Sequence, residues 1–178
     1  CFQAVISQVK KDVGAFDKIK VFDQITVELI ASNEEKIEIN GTRSSEVEVI
    51  NKNGELKIRM SAKKLLDGED IDAKVYFKKL TAIDANEGSF VGCDKPLKQT
   101  SIYVSTQEGA QVNLKLAVDK AEIKAATGGI VKLSGTAENQ EVSLGAGGIL
   151  EAKNLKTAQT SVNVKAGGKA EICASNLV

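Results

Sequence analysis

Four carboxylates crowd into "DGEDID" at 67–72: Asp67, Glu69, Asp70 and Asp72. Oxygen donors at that density suit a hard cation such as calcium. The run lacks the glycine and terminal glutamate register of an EF-hand, so a solvated acidic loop is expected, with weak calcium binding as the alternative. Glycine pairs recur in "AATGGIVKLSG", "LGAGGILEAKN" and "VKAGGKAEICA", and backbone N–H groups beside such pairs can cradle phosphate. No Walker Lys-Ser/Thr or dinucleotide fingerprint follows them. They also differ from calcium-binding nonapeptide repeats, which place Asp where this chain has Leu133, Ala152 or Ile172. Paired carboxylates are the remaining chemistry, since two at a set separation cleave glycosides. Glu122, Glu141 and Glu151, however, alternate with Lys124, Lys132 and Lys153, as on the wall of a soluble repeat protein. Long loops and aromatic platforms to frame a cleft are lacking. No enzymatic activity, cofactor or metal is expected.

The composition narrows the field further. The 178 residues hold no His and no Trp, which disfavours Ser-His or Cys-His hydrolysis and most zinc chemistry. Basic and acidic residues balance at 24 each, leaving no net field to recruit nucleic acid. No run approaches the ~18 apolar residues of a spanning helix. Three cysteines, Cys1, Cys93 and Cys173, are too few and too far apart for a disulfide framework. Cys1 is a lipidation candidate, because lipoprotein processing leaves Cys as the first mature residue. The alternative is that "CFQA" is a processing remnant. Residues 1–8 are therefore read as a leader or anchor segment, and 9–178 as one domain.

What must position these residues is a repeat. Gly88, Gly109, Gly128, Gly147 and Gly167 follow one another at intervals of 21, 19, 19 and 20. The positions three and five before and after each glycine are apolar or Cys in nineteen of twenty cases; only Thr106 departs. Between them stand mostly Lys, Glu, Asp, Asn, Ser or Gln, the alternation of strands with one dry and one wet face. Gly88, Gly109, Gly128–Gly129, Gly147–Gly148 and Gly167–Gly168 fall between strands, where a corner needs positive φ or has no room for Cβ. Units of about 19–21 residues stacked on copies of themselves make an all-β fold, a right-handed parallel β-helix or β-solenoid.

The same period runs on without glycine toward the N-terminus. Ile19-Val21, Ile37-Ile39, Leu56-Ile58 and Val75-Phe77 recur at intervals of 18, 19 and 19, and Val27-Leu29 and Val47-Val49 form a second column. Segments 61–72 and 94–100 are expected to leave the coil. "NKNGEL" around Asn53-Gly54 has hairpin-turn chemistry, so an antiparallel β-sandwich or meander in the N-terminal third is the alternative. The period also sorts the thiols: Cys93 lies on an inward column and Cys173 one residue past one. Four coils apart, ~19 Å along the axis, they are too distant to bridge.

"KKDVGAFDKIKVFDQITVELI", "VEVINKNGELKIRM" and the Gly-Gly repeats together resemble the putative auto-transporter adhesin, head GIN domain family, over nearly the whole chain from about Val9 onward. Members occur in the envelopes of Bacteroidetes-type bacteria. The resemblance implies a secreted or surface-anchored β-helical domain without an established enzymatic activity: a rigid binding, adhesin-like or structural module, with an accessory subunit of an envelope complex as the alternative. Its partners would be another envelope protein or a surface glycan. The chain stops at "CASNLV", part-way through a unit, where family members run further. An exposed last coil would present unpaired backbone groups, so association through the C-terminal coil end is a further expectation.

Overall fold

The computed structural model describes residues 8–178. Cys1, with the lipidation reading attached to it, lies outside the described residues. Nine short strands come first: β1 (Gln8–Asp12), β2 (Lys18–Val21), β3 (Thr26–Ala31), β4 (Lys36–Asn40), β5 (Val47–Lys52), β6 (Glu55–Met60), β7 (Asp72–Phe77), β8 (Ala82–Ala85) and β9 (Phe90–Gly92). Five longer ones follow: β10 (Leu97–Thr106), β11 (Gln111–Ala125), β12 (Ile130–Leu144), β13 (Ile149–Val164) and β14 (Lys169–Leu177). The sheet winds as a β-solenoid of about five turns.

Each of β11, β12 and β13 bends around the axis while keeping its hydrogen bonds to the turns on either side. In β11, Val112 and Leu114, then Leu116 and Val118, then Ala121, Ile123 and Ala125 are buried, whereas Asp119 and Lys120 are both exposed. Two outward residues in succession reset the alternation, so the strand turns a corner without losing its inward face. The same doublet stands at Glu138–Asn139 in β12 and Ala158–Gln159 in β13. Three walls result. Their parallel ladders pair Gln111 with Ile130 and Ile149, Ala117 with Thr136 and Lys156, and Glu122 with Glu141 and Ser161.

The core is built of ladders along the axis. Ile19, Ile83, Val104, Ile123 and Val142 stack on one wall, and Val27, Val91, Val112, Val131 and Leu150 on another; all are buried. The glycine spacing reappears as register. Partners are offset by 21 in the numbering between β8 and β10, and by 19 from β10 to β12. Between β12 and β13 the offset grows from 19 to 20 after Lys132, where β13 carries one extra residue as a bulge.

The N-terminal third departs from simple winding. β2 pairs with β6 on one side and β8 on the other, and β3 sits likewise between β7 and β9, all in parallel. The first turn of the chain is thus sandwiched between later ones. The apolar pairs expected to share one column are divided: Ile19-Val21 stack on Leu56-Ile58, whereas Ile37 and Ile39 face Val75 and Ala73 in an antiparallel pair. Val27-Leu29 and Val47-Val49 also lie on different walls, in β3 and β5. A hairpin with its loop spans about as much chain as one turn, so the period persists while the strand direction reverses. β1, β4 and β7 form an antiparallel set, and β5–β6 is a hairpin. Its turn residues Asn53 and Gly54 have φ +53° and +80°, the type I′ geometry that Asn-Gly favours.

The two segments expected outside the coil differ. Residues 61–71 hold no strand and cross from β6 to β7. In 94–100, by contrast, Leu97–Gln99 pair in register with Leu116–Val118. This stretch is the second wall of its turn, reached through the short bend at Asp94–Pro96.

Candidate functional site

The corner preceding each first-wall strand is a four-residue turn, closed by bonds such as Ala110 N–H to the Gln107 carbonyl (3.1 Å) and Gly129 N–H to the Ala126 carbonyl (2.8 Å). Both central residues are left-handed: φ is +53° and +69° at Glu87-Gly88, +55° and +73° at Glu108-Gly109, and +50° and +74° at Thr127-Gly128. Gly147 and Gly167 take the same place after Ala146 and Ala166. A Cβ on Gly109, Gly128, Gly147 or Gly167 would meet nothing within 4 Å, so their backbone angle alone selects glycine. The second glycine of each pair answers a different demand. A Cβ on Gly129 would lie 2.5 Å from the Thr106 carbonyl oxygen, one on Gly148 2.1 Å from that of Ala125, and one on Gly168 2.8 Å from Leu144 Cβ. The turns also stack on one another: Gly109 N–H donates to the Thr127 carbonyl and Gly128 N–H to that of Ala146, both at 3.1 Å. We expect Gly147→Ala to cost about 1–2 kcal/mol and Gly147→Asn less, because Asn tolerates the left-handed region. Thermal melts of the two variants test this, and equal costs would show that φ is not what selects glycine there.

In the first turn this corner has no glycine. Asp23 and Gln24 occupy it with φ +58° and +64°. Asp23 is buried, and its carboxylate accepts the N–H groups of Met60 (2.9 Å) and Leu66 (2.8 Å) while its carbonyl accepts that of Gly68 (3.0 Å). The acidic run is tied down at the same place. Asp70 accepts a hydrogen bond from Thr42, and Asp67 meets Arg43 at 3.3 Å. Asp67 and Asp70 thus tie the 61–71 crossing to the loop after β4, and no cluster of three or more possible metal ligands occurs among the described residues. Glu87 stacks beside Asp23. Burial first, and the Asp23 charge second, push its carboxyl above the ordinary value. A proton is then held more tightly in the folded chain than in the unfolded one. This contribution to stability is full below the ordinary carboxyl range of about pH 4.3 and is lost as pH rises through the raised value. Glu87→Gln should therefore flatten the decline of melting temperature between acid and neutral pH; an unchanged profile would contradict the assignment.

Outside the corners, ionisable side chains meet partners on their own walls. Glu141 pairs with Lys120 (2.9 Å), Glu151 with Lys132 (3.4 Å), Glu122 with Lys124 (3.7 Å), and Glu171 with both Lys169 (2.9 Å) and Lys153 (3.2 Å). Lys169, then Lys153, hold the Glu171 carboxyl below its ordinary range. The carboxylates that the sequence offers for glycoside chemistry are therefore spread along exposed ladders rather than facing each other across a cleft. Cys93 is buried and its thiol donates to the Lys95 carbonyl (3.2 Å), whereas Cys173 is exposed. Burial raises the Cys93 pKa, which keeps it a thiol.

In one shallow groove an aromatic ring joins such ion pairs. The groove crosses β6, β2, β8 and β10, with Ala82 as its floor and Tyr103, Lys18, Lys20, Glu55 and Asp84 around it. None of these residues stands out in the sequence; the sandwiching of β2 brings Lys18, Lys20 and Glu55 to the β8–β10 pair.

The model of the family described as "Putative auto-transporter adhesin, head GIN domain" matches residues 15–178. The chain belongs to this family. Among solved structures, a putative adhesin from Bacteroides fragilis is similar at 16% identity with a TM-score of 0.79, covering 99% of this chain and 98% of that one. A putative adhesin from Parabacteroides distasonis is 21% identical with a TM-score of 0.75, covering 94% and 81%. A putative lipid binding protein from the same species is 13% identical with a TM-score of 0.67, covering 97% and 96%. At such identities these likenesses speak for the head GIN domain fold alone. No curated protein matches the chain. Among the described residues of this family member, no helix is long and apolar enough to cross a membrane.

Proposed function

We propose that this head GIN domain chain is a non-enzymatic, rigid binding module of the cell envelope or its secreted fraction, adhesin-like in that its flat outer walls present side chains to a surface partner. One observation carries the reading: in-register parallel ladders fix outward residues from successive turns side by side, about 4.8 Å apart. A wall so braced loses little conformational freedom when a partner docks, which favours affinity. The lysine pairing of Glu122, Glu141, Glu151 and Glu171 supports a binding wall over a hydrolytic centre. Anchoring through lipid on Cys1 belongs to the same proposal, and the intact mass of native protein tests it.

Incubation of the purified chain with immobilised bacterial and host glycans and with envelope protein extracts tests the main reading. Saturable retention is expected, without release of reducing ends from the glycans. Absence of retention, or accumulation of reducing ends, would overturn it. A second reading, an accessory subunit of an envelope complex, draws support from the last turn, where Val164 and Leu177 are 44% and 60% exposed. It predicts co-purification with a protein whose release is triggered by a charged substitution at Val164.

A further inference from the structure

We propose that the groove across β6, β2, β8 and β10 binds a neutral pyranose unit of a glycan, seated on Ala82 against the ring of Tyr103 and hydrogen-bonded by Asp84 and Lys20. The proposal rests on the binding-module reading and gives it a place and a ligand class.

The register sets the dimensions. On the outward face Glu55, Lys18, Ala82 and Tyr103 stand in one row, with Lys20 beside Asp84 in the next. Lys18 and Tyr103 are two strand spacings apart, about 9.6 Å, and between them Ala82 contributes only a methyl group. The resulting groove has a volume of about 460 Å³. Tyr103 forms one wall. The Lys124 ammonium lies 5.2 Å from its ring centroid and comes from β11, on the side of β10 away from β8. The same ring lines the groove. An aromatic face carries partial negative charge and suits the C–H-rich face of a sugar ring.

The polar groups suit hydroxyls. Lys20 Nζ stands between Asp84 Oδ2 at 3.6 Å and Glu55 Oε2 at 3.8 Å. Both separations exceed hydrogen-bond length, so a hydroxyl can enter, accept from the ammonium and donate to a carboxylate. Asp84 Oδ1 is buried with no hydrogen-bond partner among the described residues. A buried acceptor without a donor is costly. Carboxylate torsions are broad and two-fold, so Asp84 can turn either oxygen toward an arriving hydroxyl. Among the residues lining the groove, Lys18 and Lys20 balance Glu55 and Asp84 in charge. An anionic sugar would face two carboxylates and a cationic one two ammonium groups, whereas a neutral polyol meets donors and acceptors in equal number.

Titrating the full 15N-labelled chain with maltohexaose, cellohexaose, mannohexaose and chitohexaose, and with hexagalacturonate as the charged counterpart, tests the proposal by amide shifts. At least one neutral oligomer should move the amides of Lys18–Lys20, Thr81–Asp84 and Tyr103. Tyr103→Ala and Asp84→Asn should each weaken that binding ten-fold or more, with Glu151→Gln on another wall leaving it unchanged; melting curves of all three confirm folding. Shifts on a different wall, undiminished binding by Tyr103→Ala and Asp84→Asn, a response to hexagalacturonate alone, or no response to any neutral oligomer would each overturn the proposal. Retention of these same variants on envelope material would then leave the binding-module reading standing, while its loss in the unmodified chain would remove both.

Discussion

Alanine at Gly135 is expected to destabilise the domain by about 4 kcal/mol, the sum of backbone strain and steric overlap. Gly135 lies within β12 at φ +103°, and a Cβ there would fall 2.0 Å from the Leu116 carbonyl oxygen of the preceding turn. That oxygen belongs to backbone, so no rotamer change relieves the overlap, and neighbouring turns would have to part. Gly148→Ala meets the same kind of overlap without the positive φ, and Gly147→Ala meets only the φ. The expected order of damage is therefore Gly135, then Gly148, then Gly147. For a chain of this size the first should lower the melting temperature by roughly 10 °C. Calorimetry of the three variants checks the order, and a harmless Gly135→Ala would show that adjacent turns do not approach so closely.

The second large effect is expected at Asp23. Its two carboxylate oxygens take the N–H groups of Met60 and Leu66, and Asp23→Ala removes both acceptors at a buried site. At about 1–3 kcal/mol for each unsatisfied donor, partly relieved by water, a loss of about 3 kcal/mol follows. Leu66 is itself held at φ +63°, a conformation its tethered N–H helps maintain. Freed from Asp23, the 61–71 crossing should become sensitive to trypsin at Lys63 and Lys64. Asp23→Asn keeps one good acceptor and should fall between. The Glu87 carboxyl, no longer beside a negative charge, should also titrate lower in Asp23→Ala than in the unmodified chain. Equal proteolysis of the two proteins would mean that Thr42, Arg43 and the backbone bond from Gly68 to Asp23 hold the loop without the Asp23 carboxylate.

The glycine-marked turns are legible in the sequence because identical chemistry recurs at each corner. The intervals between successive glycines from Gly88 to Gly167 equal the register offsets of the ladders that leave those corners, and the apolar residues flanking the first four form the inward columns, with Thr106 buried among them. Gly135 is harder to see because it belongs to no column of glycines; Leu116 and Leu155 occupy its place in adjacent turns. A lone glycine inside an alternating run is the available signal. The first turn resists reading for two physical reasons. Its corner uses Asp23-Gln24, whose side chains conceal the left-handed backbone. Alternation is also identical in parallel and antiparallel strands, so Ile19 and Ile37, one period apart, look like neighbours on one column although their strands share no ladder. The groove inherits that difficulty. Asp84 and Tyr103 come from directly paired strands, β8 and β10, but only the insertion of β2 between β6 and β8 brings Lys18, Lys20 and Glu55 beside them.

The placement of the first turn can be measured directly through inter-strand nuclear Overhauser contacts of the β2 backbone. Contacts from Lys20 to both Lys57 and Asp84 are predicted, as parallel neighbours on either side. Contacts from Ile19 to Ile37 in their place, the pattern of turns stacked in chain order, would contradict the architecture and dissolve the groove built on it.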